Sequence, residues 1–221
     1  MARSAASARQ TLLTSWTVQY EANELPENAT PAWSVEHAPN PLVNAIVEVN
    51  PAGILHISGL ASDVEKVDWL ILPDWNDTTG ITLEFRMKVV SGDTIVGDSG
   101  DTALFIDSGT TGADIQIYTD GVSFSDGLGY VDYSFDTTDD YHIYRITLKN
   151  GVSELYVDSV LRATTNSYGG GGASLDFQAA QGNVDAESLW DYIYYRTDGA
   201  FAPGGRNPAS GRTAASGRNS I

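Results

Sequence analysis

The chain has no cysteine, three histidines and two methionines among 221 residues, and only 12 lysines and arginines against 29 aspartates and glutamates. Without cysteine there is no disulfide framework, so the fold must stand on packing in any redox compartment. The His-Glu-x-x-His and Gly-x-Ser-x-Gly signatures of zinc and serine hydrolases are absent. A formal net charge of −17 argues against a nucleic-acid surface, which needs a basic stripe to release counterions. No run approaches the roughly eighteen apolar residues of a membrane helix, and the amino terminus lacks the apolar core of a signal peptide. Classical secretion and membrane insertion are therefore not expected.

What is present is a globular composition, with 42% hydrophobic and 10% aromatic residues, enough for one domain with a sizeable core. The pattern reads as strands throughout. Ile81, Leu83, Phe85, Met87 and Val89 alternate with Thr82, Glu84, Arg86 and Lys88, which gives one core face and one solvent face. Ile46–Val49 and Ile54–Ser58 flank the turn Asn50-Pro51-Ala52-Gly53, and Asp120-Gly121 joins Ile115–Tyr118 to Val122–Phe124. Further strands are predicted at Trp16–Tyr20, Trp33–His37, Val67–Leu72, Ala103–Asp107, Ser174–Gln178 and Leu189–Arg196, with no helix of normal length. A dozen short strands between Gly, Asp, Asn and Pro turns predict an all-β, two-sheet antiparallel sandwich of jelly-roll type.

The ends differ from this body. Residues 1–10 and 203–221 hold five of the 12 bases, Arg3, Arg9, Arg206, Arg212 and Arg218, and none of the 29 acids. The body then carries 7 bases against 29 acids, a balance of −22, between arms worth +5. Arg3 to Arg9 repeats the six-residue spacing of Arg206, Arg212 and Arg218. The domain plan is thus an amino-terminal basic arm over 1–10, a sandwich over 11–202 and a Gly/Ser/Arg arm over 203–221. Such small-residue arms cannot bury enough apolar surface to order themselves, and their charge suits clamping neighbouring acidic subunits.

The most specific wording lies between Tyr141 and Leu161: Y-H-I-Y-R-I-T-L-K-N-G-V-S-E-L-Y-V-D-S-V-L. Asn150-Gly151 tolerates the positive φ angles of a two-residue hairpin turn. The stretch resembles the carboxyl-terminal hairpin of concanavalin A-like lectins and glucanases, with Ser159 where that family usually has Gly. Leu189-Trp190-Asp191-Tyr192-Ile193-Tyr194-Tyr195-Arg196 looks like the final strand of those glucanases, and the resemblance makes Asp191 a structural calcium ligand. It also implies that a hydrolase would carry Glu-x-Asp-x-Glu on one strand face, because the chemistry needs two carboxylates across the glycosidic bond. That motif is missing; the best strand carboxylate, Glu84, is followed by Phe85-Arg86. Lyases on similar sandwiches use Tyr, His or Gln and Arg, types found in Gln116, Tyr118, His142, Tyr144 and Arg145.

Two further sets complete the expectations. The Gly-rich loop Ser91–Asp101 offers Asp93, Asp98 and Asp101 as oxygen ligands for a structural Ca²⁺. Aromatic residues in loops can stack on a sugar ring, and Trp75, Tyr168 and the pair Tyr130 and Tyr133, read as lying on one side of an alternating run, are the candidates. The expected function is that of a non-catalytic, lectin-like scaffold in a larger assembly, a phage virion protein of the capsid-decoration, tail or fibre kind, whose arms bind other copies of itself or other virion proteins. Its place would be the virion or the cell-exterior surface, or the cytoplasm if it is not viral. A glycoside hydrolase or polysaccharide lyase of this fold, or a free carbohydrate-binding module, are the alternatives.

Overall fold

A computed structural model describes residues 16–37, 42, 44–59, 66–95, 102–125, 129–167, 173–181 and 185–204. In chain order the strands are β1 (Val18–Tyr20), β2 (Ser34–Val35), β3 (Ile46–Val49), β4 (Leu55–Gly59), β5 (Lys66–Ile71), β6 (Ile81–Ser91), β7 (Thr102–Ser108) and β8 (Gly112–Tyr118). They continue as β9 (Gly121–Ser125), β10 (Tyr130–Ser134), β11 (His142–Lys149), β12 (Val152–Val157), β13 (Val160–Asn166), β14 (Ala173–Gln181) and β15 (Ala186–Arg196). Among the described residues the only helix is a 3-10 turn at Pro26–Asn28. No helix there is long and apolar enough to cross a membrane.

The strands form two antiparallel sheets. The eight-stranded sheet runs β13-β12-β11-β6-β15-β4-β3 with β1 pairing β15, and the seven-stranded sheet runs β10-β9-β8-β7-β14-β5-β2. Chain neighbours such as β5 and β6 fall in different sheets, the crossing pattern of a jelly roll. Alternation drives this packing, because apolar side chains recur at every second position along most of the strands and the two apolar faces exclude water only against each other.

An aromatic spine crosses the core between the sheets. Trp69 stacks on Phe177 at 5.1 Å, Phe177 meets Trp190 at 5.1 Å, Trp190 meets Phe85 at 5.6 Å and Phe85 stacks on Tyr144 at 5.0 Å. Each such pair adds about 0.5–1.5 kcal/mol beyond area burial. The Asn150-Gly151 turn forms with φ of 51° and 74°, and its amides donate to the Asp77 carbonyl and to Asp77 Oδ1 at 2.9 and 3.0 Å.

One irregularity matters for the sites below. In β15, Trp190 pairs with Met87 and Tyr192 with Arg86, so Asp191 is the extra residue of a bulge. The bulge lets Trp190 and Ile193 both face the core, which strict alternation forbids.

Candidate functional site

The two outer sheet faces are built differently. On the eight-stranded sheet two ion pairs stand side by side. Arg145 grips Glu84, which also accepts the Tyr192 hydroxyl at 3.2 Å, and Arg86 pairs with Asp191. Tyr192 stacks on Tyr194 at 4.3 Å, and the Tyr194 hydroxyl donates to Glu21 at 2.5 Å.

The outer face of the seven-stranded sheet holds polar groups in register. Asp68, Gln178, Ala103, Gln116, Ser123 and Asp132 stand opposite one another in turn across β5, β14, β7, β8, β9 and β10. In the next row Leu70, Asp176, Phe105 and Asp114 do the same. Phe105 thus lies on the outside, half-buried, with a carboxylate on each flanking strand. The backbones of Asp176 and Asp114 are two strand spacings apart, about 10 Å.

An open cavity of about 380 Å³ beside Phe105 is lined by Lys66, Asp68, Asp176 and Gln178. Asp68 is only 4% exposed and Gln178 only 2%, yet among the described residues Asp68 Oδ1 and Gln178 Nε2 have no hydrogen-bond partner, and neither does Asp114 Oδ1. Buried polar groups normally find partners, since leaving one unmade costs about 1–3 kcal/mol. Three such atoms gather on this one outer face.

Next to the cavity a hydrogen-bonded chain links β8 to β10. The Tyr118 hydroxyl donates to Gln116 Oε1 at 2.7 Å, Gln116 Nε2 to the Tyr130 oxygen at 3.0 Å, and the Tyr130 hydroxyl to Asp114 Oδ2 at 3.3 Å. Burial pushes the Asp114 carboxyl up to about 6 against that last bond. Burial, with the Asp68 charge second, pushes Asp176 up to about 6. Asp68 is raised by burial despite Lys66 at 2.6 Å. Tyr130 is pushed up to about 12, by burial first and the Asp114 carboxylate next, which leaves it a poor base at neutral pH.

The residues singled out from the sequence land as follows. Trp75 is not a loop platform; it is 7% exposed, belongs to the core, and donates its indole N–H to the Asp107 carbonyl at 3.1 Å. Tyr130 and Tyr133 do not share a side, because a spacing of three puts them on opposite faces of β10. Tyr130, 46% exposed, faces out; Tyr133 packs against the core beneath the Arg162 guanidinium at 4.4 Å. The lyase-type residues are scattered: Gln116 and Tyr118 share the outer face, Tyr144 is in the core, and Arg145 is committed to Glu84. His142 is held by Asp158 at 2.8 Å and Asp139 at 2.9 Å.

The surroundings of Asp191 do not fit a calcium ion, since the Arg86 guanidinium already neutralises its carboxylate. Asp93 Oδ1 accepts the Thr94 amide at 2.9 Å, while Asp98 and Asp101 lie outside the described residues, as do Tyr168, Arg3, Arg9, Arg206, Arg212 and Arg218. Among the described residues no three His, Cys, Asp or Glu side chains gather as a metal site. Sequence reading missed Asp114, Asp176, Phe105 and Gln178. Alternation alone puts Asp114 on the face of Gln116 and Tyr118, whereas Asp176, Phe105 and Gln178 join it only through register between strands.

Solved structures with this arrangement of sheets are plentiful. The chain superposes on a GlcNAcα1-4Gal-releasing endo-β-galactosidase from Clostridium perfringens with a TM-score of 0.58 at 12% identity, covering 84% of this chain and 64% of that one. The match to the botulinum neurotoxin serotype D binding domain has a TM-score of 0.55 at 13% identity, over 86% and 50% of the two chains. For the Bacillus licheniformis β-glucanase the values are 0.55 and 15%, over 83% and 99%. The fold is the concanavalin A-like jelly roll. The chain spans less than two thirds of the endo-β-galactosidase and toxin chains and nearly all of the glucanase. No protein-family profile and no curated protein sequence matches it. Proteins with this jelly roll thus include both glycoside hydrolases and binding domains.

Proposed function

We propose that the protein is a non-catalytic, lectin-like sandwich that binds a glycan on the outer face of the seven-stranded sheet and serves as a structural or adhesion component of a larger assembly. The observation that carries this reading is Phe105, set between Asp176 and Asp114 beside a cavity whose buried Asp68 and Gln178 atoms have no partner. An aromatic ring takes the apolar face of a pyranose, and flanking carboxylates and amides take its hydroxyls. In its most specific form the assembly is a phage virion, with the basic arms engaging neighbouring acidic subunits. The acid–base balance of arms and body supports that setting.

A glycan array followed by titration tests the binding. Phe105→Ala is expected to weaken the best glycan about tenfold or more while leaving the melting temperature near the parent's. Unchanged affinity removes this face as the site. One observation favours a hydrolase instead: Asp114 and Asp176 both sit at about 6 on one cross-strand row, as a general acid does. Release of new reducing ends from any array hit, lost in Asp114→Asn, would replace the lectin reading with that one.

A further inference from the structure

The cavity beside Phe105 carries a charge and donor balance that neutral hydroxyls do not meet. We propose that the glycan is an amino sugar with a free, unacetylated amino group, its ammonium seated between Asp68 and Asp176; this rests on the glycan-binding reading above and names its ligand class. Five titratable groups surround the position. Asp68 and Asp176 line it, and exposed Glu36, on the segment following β2, adds negative potential at both. Among the described residues Lys66 is the one cation lining it, and at 2.6 Å it satisfies Asp68 Oδ2. His37 accepts the Asp68 amide on Nδ1 at 3.1 Å, and burial holds its pKa below the ordinary value, so it adds no positive charge at neutral pH. Three carboxylates thus face one ammonium.

The hydrogen-bond inventory agrees. Asp68 Oδ1 is a buried acceptor without a partner, and Asp176 Oδ2 accepts the Ser174 hydroxyl at 3.3 Å. An alkylammonium brings three donors and a positive charge to two carboxylates, making charge-assisted bonds about twice as strong as neutral ones. Gln178 Nε2, which lines the cavity without a partner among the described residues, matches a ring or hydroxyl oxygen beside that amine, and Phe105 supports the ring's apolar face. An acetylated amine would bring a bulky, neutral amide with one N–H to the same place. Calcium suits the cavity less well: it takes six to eight oxygens, and the Lys66 ammonium already lies against Asp68.

The test is calorimetric titration of the full chain at pH 7 with a glucosamine trimer, an N-acetylglucosamine trimer, cellotriose, trilysine and calcium chloride. The glucosamine trimer is expected to bind at least about tenfold tighter than either other sugar and than trilysine. Asp176→Asn and Gln178→Leu are each expected to erase most of that preference while melting no lower than the parent, because each removes a buried charge or a donor without a partner. Equal affinity for the three sugars overturns the amino-sugar inference and leaves glycan binding standing. Trilysine binding as tight as the glucosamine trimer, or a preference untouched by both variants, reveals attraction to the acidic surface at large and overturns the inference. Calcium binding that competes with the sugar and is lost in Asp176→Asn would reassign the cavity to a metal. If no sugar here or on the array binds, both readings fall.

Discussion

Asp114 shows how one buried carboxyl can work against stability. Its side chain is 7% exposed, and burial lifts it to about 6, a displacement worth about 3 kcal/mol between the two protonation states. Because the folded state holds the proton more tightly than the unfolded chain, this contribution is complete in acid below the unfolded value. It is lost as pH rises through about 6. Asp114→Asn keeps an acceptor for the Tyr130 hydroxyl and removes the charge. It is expected to raise stability at pH 7 by about 1–3 kcal/mol, with the gain vanishing near pH 4. Denaturant melts of parent and variant across that range check it; a gain that persists unchanged at pH 4 would mean that the charge is not the cause. At this scale the sequence was only half legible. Trp75 looks loop-borne because Pro73, Asp74, Asn76 and Asp77 surround it, yet that segment folds back and buries the indole. Local polarity says nothing about where a loop lies. Asp114 and Asp176 read as ordinary strand acids until register sets them either side of Phe105.

Strands and turns were far more legible, because alternation and turn chemistry are local. The Tyr141–Leu161 wording resolves into β11, the Asn150-Gly151 turn, β12, the Asp158-Ser159 turn and the start of β13. That second turn holds Asp158 at φ 51° and Ser159 at φ 70°, where an L-residue other than Gly, Asn or Asp is strained. Ser159→Gly should therefore stabilise the fold by about 0.5–1 kcal/mol, despite the entropy glycine loses, with the increase read as a slower unfolding rate or a higher melting temperature. A drop would show that the Ser159 side chain makes a compensating contact. What no local pattern shows is a bulge, since it is a relation between two strands. Plain alternation through Leu189–Arg196 would send Ile193 outward along with Leu189 and Asp191. The extra residue at Asp191 instead returns Ile193 to the core and brings the Asp191 carboxylate to Arg86, consuming the group that resemblance assigned to calcium.

Across the whole molecule, the two outer faces and the two ends differ in charge. One sheet closes its charges on itself through Glu84, Arg145, Arg86 and Asp191. The other gathers the unmatched atoms of Asp68, Asp114 and Gln178 on its outer face. The −22 body and +5 arms form a second asymmetry, and Phe201 fastens the segment after β15 to the eight-stranded sheet. The Phe201 amide donates to Thr82 Oγ1 at 2.8 Å, its carbonyl accepts from Arg145 at 3.4 Å, and its ring lies 4.1 Å from the Arg196 guanidinium. A chain cut after Ala202 keeps all of these contacts and loses Arg206, Arg212 and Arg218. Its melting temperature is expected to match the parent's. If the arms clamp acidic neighbours, the parent should self-associate at about 0.01 M salt, where screening extends roughly 30 Å. It should come apart at about 1 M, where screening falls to roughly 3 Å. The shortened chain should remain smaller than the parent at the lower salt. Light scattering on both proteins at both salts decides the matter, and equal masses throughout would leave the arms without a role in assembly between copies of this chain.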